Sequence, residues 1–202
     1  MADTIDVLTL AEARTGLSTE TGHTAKDAPL AAYITAVSRR LDELCGPIVI
    51  RTITDEVHSG GTKSLFLREY PVVSVTTITE YEDTTGTVLS VETNASKPSS
   101  AYLLDPATGI IHRRATGTSR DFSIGDRNVV VTYQAGRYAN TAAVDERFKT
   151  AARLLLSHYW RREMAVGTVT YGGEVIPNLP GFGVPNVVMD LLAGELKAPT
   201  VA

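Results

Sequence analysis

The sequence predicts an α+β fold, in which helices from the two ends of the chain form a helical base and an antiparallel, sandwich- or barrel-like β region is inserted between them. Apolar residues recur at three- and four-residue steps in residues 28–45 and again in residues 144–164, which is the period of an amphipathic helix. Between these segments, short β-branched runs alternate with turn signals over residues 48–133. The two helices, distant in sequence, are expected to pack together.

The N-terminal part of the chain is expected to contain two helices. The first covers residues 9–17, with Thr9 as its N-cap and Glu12 as the partner of Thr9 in a capping box. The second has Asp27 as its N-cap and ends at Gly46. The apolar stripe of the second helix is formed by Leu30, Ile34, Val37, Leu41 and Leu44.

Several short strands are expected in the middle of the chain. The clearest is residues 72–81, where side chains alternate between two faces, and residues 129–133 close the series. Turns are expected at residues 58–64 and at Asp105–Gly109, whose sequence DPATG is a strong turn signal. Gly136 is expected to hold a positive φ before the long C-terminal helix.

The C-terminal part begins with the long helix over residues 144–164. Its apolar arc is wide enough to predict burial against two neighbours, the first long helix and another subunit. Residues 165–186 contain five glycines and three prolines, so they cannot form one regular element, and a short helix is predicted after them. We therefore divide the chain into the N-terminal helices 1–47, the inserted β domain 48–133, the long helix 134–164, and an extended arm with the short C-terminal helix 165–202.

The composition is that of a globular protein of 202 residues with a formal net charge of −4, unlike the basic excess of a general nucleic-acid binder. No run approaches the roughly 18 consecutive apolar residues of a transmembrane helix. The N-terminus does not resemble a signal peptide, so the protein is expected to stay in the cytoplasm in which it is made. The single cysteine, Cys45, excludes a disulfide within one chain and is interpreted as a buried apolar residue.

The sequence offers no catalytic set. None of the four histidines has a second histidine or a suitable carboxylate at the helical spacing that a metal site would require. The motifs of serine hydrolases, zinc proteases and nucleotide-binding loops are absent. We therefore expect no enzymatic activity, no cofactor and no bound metal.

A small basic cluster is predicted in the β region. Its candidate contact residues are Arg113, Arg114 and Arg120, and Arg127 is nearby in the sequence. Two interpretations are open. The cluster can be a solvated strand edge that discourages pairing with other chains. Alternatively, it contacts DNA or an acidic partner.

Three parts of the chain resemble a known family. The first is LTLAEARTGL (8–17), followed by the helix PLAAYITAVSRRLDELCG (29–46). The second is VVVTYQAGRY (129–138), which leads into VDERFKTAARLLLSHYWRREM (144–164). The third is VPNVVMDLLAGE (184–195). Together they resemble the head–tail connector (adaptor) proteins of long-tailed bacteriophages, although the β region is longer than in the small members of that family.

This resemblance implies a structural subunit of the head–tail connector. Such subunits form a homo-oligomeric, dodecameric ring that docks under the portal protein, extends the DNA channel toward the tail and receives the next neck or tail-terminator protein. Genomic DNA passes through the ring without sequence-specific binding. The resemblance further implies no cofactor, no active site and no membrane contact, and a place in the neck of the virion after assembly in the host cytoplasm.

Apolar residues near the C-terminus are interpreted as contacts to the portal or to a neighbouring subunit. They are Leu156, Trp160, Ile176, Leu179, Phe182, Val187, Val188, Leu191 and Leu192.

Other functions remain open at this point. A different neck or tail-completion ring protein would share the β-rich region but lack the paired helical ends. A β-sandwich module that binds a carbohydrate or a host protein would expose aromatic residues, for which Tyr70, Tyr81 and Tyr102 are candidates. An enzyme would need a pocket with convergent polar groups, and the sequence offers none.

Overall fold

The computed structural model describes residues 3–17, 26–166 and 183–197. The chain divides into two compact units: a helical unit made of Met1–Val49 and Tyr138–Ala202, and a β unit made of Ile50–Arg137. The described residues form four α-helices and two mostly antiparallel sheets. The α+β class predicted from the sequence is therefore confirmed.

The helical unit contains helices α1 (Leu10–Gly16), α2 (Asp27–Cys45), α3 (Glu146–Val166) and α4 (Asn186–Leu192). The predicted capping box of α1 is present, since the Thr9 hydroxyl accepts from the Glu12 N–H and the Glu12 carboxylate accepts from the Thr9 N–H. Asp27 is not the N-cap of α2, which is Lys26. Instead, Asp27 lies in the first turn and its carboxylate pairs with the guanidinium of Arg14 on α1.

The core of the helical unit lies around α3, which contacts α1, α2 and α4. Edge-on aromatic contacts join Tyr33 to Trp160, with ring centroids 5.8 Å apart, and Tyr138 to Phe148, with centroids 5.9 Å apart. The α2 and α3 residues that are buried in this core are Leu30, Ile34, Val37, Leu41, Cys45, Phe148, Ala151, Ala152, Leu155, Leu156 and Trp160. The two helices that are distant in sequence therefore share one core, and Cys45 is one of its apolar residues.

The segment after α4 also belongs to the helical unit. The N–H of Lys197 donates to the carbonyl of Leu44 at 2.8 Å, and the guanidinium of Arg147 lies 2.5 Å from the Glu195 carboxylate. The described end of the chain is thus fixed against α2 and α3 by one backbone hydrogen bond and one ion pair.

The β unit contains two sheets. The strands are β1 (Arg51–His58), β2 (Ser64–Phe66), β3 (Val72–Glu82), β4 (Thr85–Val88), β5 (Ser90–Val91), β6 (Ala101–Asp105), β7 (Ile110–Ala115), β8 (Thr118–Ser119) and β9 (Val129–Ala135). The four-stranded sheet has the order β1-β9-β3-β4, and the second sheet has the order β2-β7-β6-β5, with β8 paired to β7. Every pair is antiparallel except β5 with β6.

The two sheets share one apolar core, because alternate side chains of each strand point to one face. The strand with the most buried residues is β9, where Val129, Val131 and Tyr133 point inward and Val130 and Thr132 are less buried. The other members of this core are Leu65, Leu67, Val72, Ile78, Leu89, Tyr102, Ile111, Phe122 and Ala135. Beyond β9, Gly136 has a φ of 143°, the positive value predicted for it.

Two adjacent leucines of α3 test how strongly the helical unit depends on its core. Leu155 is fully buried, whereas Leu154 is 37% exposed. Leu155→Ala should lower the free energy of unfolding by about 2–5 kcal/mol, because it leaves a cavity. Leu154→Ala should change it by no more than about 1 kcal/mol. Urea unfolding of the two variants measures both values, and equal losses would contradict the packing described for α3.

Candidate functional site

A buried ion pair joins the two sheets of the β unit. The guanidinium of Arg113 on β7 donates to one carboxylate oxygen of Glu80 on β3, from Nη2 at 2.9 Å and from Nε at 3.1 Å. The second carboxylate oxygen accepts from the Ser123 N–H, and Arg113 Nη1 donates to the Ala101 carbonyl. Both charged side chains are buried, so Arg113 holds the fold together and presents no charge to a partner.

Arg114 and Arg120 have different surroundings. Arg114 is half-buried and donates from Nε to the Glu92 carboxylate at 3.3 Å, while Lys97 donates to the same carboxylate at 2.9 Å. The hydrogen bond from Lys97 outweighs burial and, together with Arg114, holds the pKa of Glu92 below its ordinary value. Arg120 is exposed. The three arginines therefore do not form one solvated cluster. The buried Arg113 fits neither a solvated strand edge nor a contact with DNA or an acidic partner.

A second buried carboxylate lies on β1, next to a bulge in its pairing with β9. Glu56 accepts from His58 Nε2 at 2.8 Å, from the Arg68 N–H at 3.0 Å and from the Tyr133 hydroxyl at 2.7 Å. Burial alone would raise the pKa of Glu56, but these hydrogen bonds outweigh it and hold the pKa below its ordinary value. Burial and the negative charge of Glu56 raise the pKa of Tyr133.

An open groove of about 690 Å³ runs beside β1. Its walls carry charges of both signs, from Asp55, Glu56, Arg68, Glu69 and Arg127. A wall of this kind suits contact with another polypeptide better than enclosure of an apolar small molecule.

Neither a metal site nor a membrane span is found in the described part of the chain. Residues 3–17, 26–166 and 183–197 contain no group of three His, Cys, Asp or Glu side chains that could hold a metal ion. Within the same ranges, no helix is long and apolar enough to cross a membrane.

The predicted apolar contact residues fall into three groups. Leu156, Trp160, Val188 and Leu192 are buried in the core of their own helical unit. Leu191 is half-buried, and Val187 is 56% exposed on α4. The remaining three lie outside the described residues: Ile176, Leu179 and Phe182. Within the described residues, α4 thus offers Val187, with parts of Met189 and Leu191, as its apolar surface.

Sequence reasoning did not single out the exposed apolar residues of the β unit. Ile124 is 94% exposed at the tip of a loop that is fixed by backbone hydrogen bonds, from the Gly60 N–H to the Gly125 carbonyl and from the Gly61 N–H to the Phe122 carbonyl. Val88 on β4 is 62% exposed. The signal for Ile124 was available, since an isoleucine inside the polar sequence DFSIGDRN has no local apolar neighbour but Phe122.

These features define a class of protein. The buried charged groups of the β unit serve to join strands, and the exposed surface carries apolar residues and an open strand-side groove. This is the organisation of a structural protein that makes contacts with other chains.

A family model for head completion proteins matches residues 6–193. The chain therefore belongs to the head completion protein family, and the resemblance to head–tail connector proteins is confirmed.

Solved structures share the fold. A chain from the neck of an empty gene transfer agent (GTA) particle, computed with C6 symmetry, is 19% identical with a TM-score of 0.57, and the match covers 100% of this chain and 97% of that one. A chain from the virion of the native GTA particle is 20% identical with a TM-score of 0.55, over 96% of this chain and 92% of that one. A chain from the neck of the native GTA particle, computed with C12 symmetry, is 19% identical with a TM-score of 0.51, over 100% and 97%. A search of curated proteins finds no match.

The buried ion pair gives a first prediction for the β unit. Arg113→Met should lower the free energy of unfolding by about 3–5 kcal/mol, because it leaves the Glu80 carboxylate buried without its partner. The double variant Glu80→Gln/Arg113→Met should recover part of this loss, since the substituted amide is neutral and its oxygen can still accept from the Ser123 N–H. Arg120→Met, at an exposed position, should change stability by about 0.5 kcal/mol or less. Urea unfolding measures all three, and a harmless Arg113→Met would refute the assigned role.

The low pKa of Glu56 gives a second prediction. A carboxyl whose pKa is lower in the folded state stabilises the fold above its ordinary pKa of 4.5, and this contribution is lost as the pH falls through the folded-state pKa. Glu56→Gln should therefore be less stable than the wild type at pH 7, and the difference should shrink below pH 4.5.

Urea unfolding at pH 7 and at successively lower pH values measures this difference. Glu82→Gln, at an exposed position of the same unit, is the matched control and should change stability little. If the Glu56→Gln deficit stayed constant down to the lowest pH at which the protein folds, the ionised hydrogen-bond network would not be its source.

Proposed function

We propose that this chain is a structural ring subunit of the head–tail neck of a phage or phage-like particle, where it docks under the portal and extends the DNA channel toward the tail. The observation that carries the proposal is the match to the head completion family over residues 6–193. The shared fold with chains from the neck of GTA particles supports it.

The ring is proposed to be a closed dodecamer of identical subunits. The neck structures with the same fold were computed with C6 and C12 symmetry, and both symmetries are compatible with twelve copies. A closed ring is built from heterologous contacts, in which two different surfaces of each subunit meet. The subunit must therefore offer two unlike surfaces to its neighbours.

The portal contact is proposed to involve α4, where Val187 is exposed and Leu191 is half-buried. Ile176, Leu179 and Phe182 stay predicted contacts outside the described residues. The next neck or tail-terminator protein would bind the opposite face of the ring. The subunit would assemble in the host cytoplasm and end in the virion neck.

Genomic DNA is proposed to pass through the ring without sequence-specific binding. A channel that DNA traverses must not hold phosphates strongly, and the formal net charge of −4 agrees with this requirement. The buried position of Arg113 removes one of the three cations predicted to face DNA or an acidic partner. The proposal includes no enzymatic activity and no cofactor.

Two observations favour a connector over the alternatives. A different neck ring protein would lack paired helical ends, whereas α2 and α3 pack on each other here. A carbohydrate- or host-binding sandwich would expose aromatic residues, whereas Tyr102 is buried and Tyr70 packs against the core. Tyr81 is exposed, but it stands alone among the three candidates.

Native mass over a wide concentration range, with negative-stain images of the same sample, tests the ring. We expect closed rings with a central hole, formed either by the protein alone or after addition of its portal ring. A protein that stays monomeric and does not bind the portal under any of these conditions would refute the proposed function.

The exposed valine of α4 gives a prediction for portal binding. Val187→Asp should weaken binding of the subunit to the portal at least about tenfold without unfolding it, because it places a charge in an apolar contact. Asn186→Asp adds the same charge one residue earlier on the exposed side of α4 and should bind nearly as the wild type does. Affinity measurements with circular dichroism as a folding control separate the cases, and unchanged binding of Val187→Asp would remove α4 from the portal contact.

A further inference from the structure

The two edge strands of the four-stranded sheet differ in sequence and run in opposite directions, so one can pair antiparallel with the other in a second copy. The order of this sheet is β1-β9-β3-β4 and each neighbouring pair is antiparallel, so β1 and β4, at its two edges, run in opposite directions. If a second copy of the sheet is placed alongside the first, β4 of one copy therefore lies antiparallel to β1 of the next. The strand alternation of the sheet then continues without a break.

The backbone groups at the two edges also match. The N–H of Tyr81 donates to the Asn128 carbonyl, which makes Tyr81 and Asn128 a hydrogen-bonded pair of β3 and β9. In an antiparallel ladder every second pair is hydrogen-bonded, so Thr79 and Val130, two residues further along, also form a hydrogen-bonded pair. The backbone of Val130 thus faces β3, and the backbone of Val57, its partner on β1, points out of the sheet.

The same argument applies to the other edge. The N–H of Leu89 donates to the Ile78 carbonyl, which makes Ile78 and Leu89 a hydrogen-bonded pair. The next pair, Thr79 with Val88, is then not hydrogen-bonded, and the N–H and C=O of Val88 point out of the sheet. Val57 and Val88 are thus both able to donate to and accept from a neighbouring strand.

These two valines end a single row of side chains across the sheet. Val57 pairs with Val130, Val130 with Thr79, and Thr79 with Val88, so all four β-branched side chains lie on one face. A second copy that pairs Val88 with its own Val57 extends this row in register. Cross-strand contacts between β-branched side chains stabilise such rows.

Neither edge is closed to an incoming strand at this row. Folded monomers commonly protect an edge strand with a lysine, a proline or a bulge. Strand β4, with the sequence TGTV, has none of these, and all four of its residues are exposed. Strand β1 has a bulge between Ile53 and Glu56, but Val57 lies beyond it, on the wall of the open groove.

We propose that β4 of each subunit pairs with β1 of the next copy, with Val88 opposite Val57, so that the four-stranded sheets join into one continuous sheet around the ring. This inference rests on the proposed ring function and adds the contact that closes it. Pairing of unlike edges is heterologous and propagates by rotation, as a ring requires, whereas like edges would form only a dimer.

The size of such a ring is a first check. Twelve four-stranded sheets at about 4.8 Å per strand give a circumference of about 230 Å, hence a diameter of at least about 70 Å in the sheet layer. A sheet layer of this diameter is wider than the DNA duplex that the proposed channel must admit.

Disulfide trapping tests the pairing directly. The variant Val57→Cys/Val88→Cys, made with Cys45→Ala, places two thiols about 14 Å apart within one subunit, too far for a bond. Across the proposed contact the two Cα atoms would be about 5.5 Å apart, which suits a disulfide. Mild oxidation of rings, assembled with the portal ring where needed, should give a ladder of covalent oligomers on a non-reducing gel.

The controls are matched to this geometry. Each single-cysteine variant can give no species beyond a dimer. Thr132→Cys/Val88→Cys moves one thiol to the central strand β9, which no neighbouring sheet edge reaches, and should give no ladder. Rings that form but give no ladder with Val57→Cys/Val88→Cys would overturn the edge pairing and leave the ring function standing. Failure of the wild type to form rings, with or without the portal, would overturn both.

A second variant covers the case in which the double cysteine variant does not fold or assemble. Val88→Pro removes an N–H that points out of the sheet and leaves the hydrogen bonds from β4 to β3 in place. It should fold with nearly unchanged circular dichroism and fail to form rings, whereas Val88→Thr, which keeps the N–H, should form them. Normal rings from a folded Val88→Pro protein would overturn the proposal.

Discussion

The helical unit depends on the burial of one helix on several sides. Helix α3 contacts α1, α2 and α4, so its apolar arc is used by elements from both ends of the chain. Ala151 and Ala152, fully buried at its centre, leave room for these neighbours to approach closely. Leu156 and Trp160 are buried in this packing, so neither side chain presents an apolar surface to another protein. On α4, by contrast, Val187 is exposed.

In the β unit, a buried ion pair holds elements together, in addition to apolar packing. A buried ion pair has value only when the surrounding groups satisfy the remaining donors and acceptors, because both charges lose their hydration. Glu80 and Arg113 meet that condition, since the carboxylate also accepts from the Ser123 N–H and the guanidinium also donates to the Ala101 carbonyl. Glu56 is satisfied in a comparable way. These groups fix the spacing of the two sheets and hold the loop that carries Ile124.

The sequence predicted the elements whose signals are local and missed the contacts that depend on packing. The capping box of α1 and the stripes of α2 and α3 follow from spacing along one helix, whereas the pair between Asp27 and Arg14 forms only when α1 lies on α2. From the sequence alone the wide arc of α3 predicts a contact with another subunit, because no local signal shows that α1 and α4 also contact this helix. The inward position of Arg113 can be predicted from the sequence, since Arg113 is two residues from Ile111 on the same strand and therefore shares its face.

The exposed edge strands of the β unit bear on association with other chains, whereas the buried cores bear on folding. A monomer gains nothing from an unprotected edge strand and risks uncontrolled association, so its edges are usually blocked. A ring subunit needs two open surfaces, and they must be unlike and mutually complementary, since like surfaces would close a dimer instead. An antiparallel sheet with an even number of strands meets this requirement without further devices, because its two edges run in opposite directions and the alternation of hydrogen-bonded pairs continues across the junction. With four strands and Val57 and Val88 at the two ends of one row, the sheet of this protein has that property.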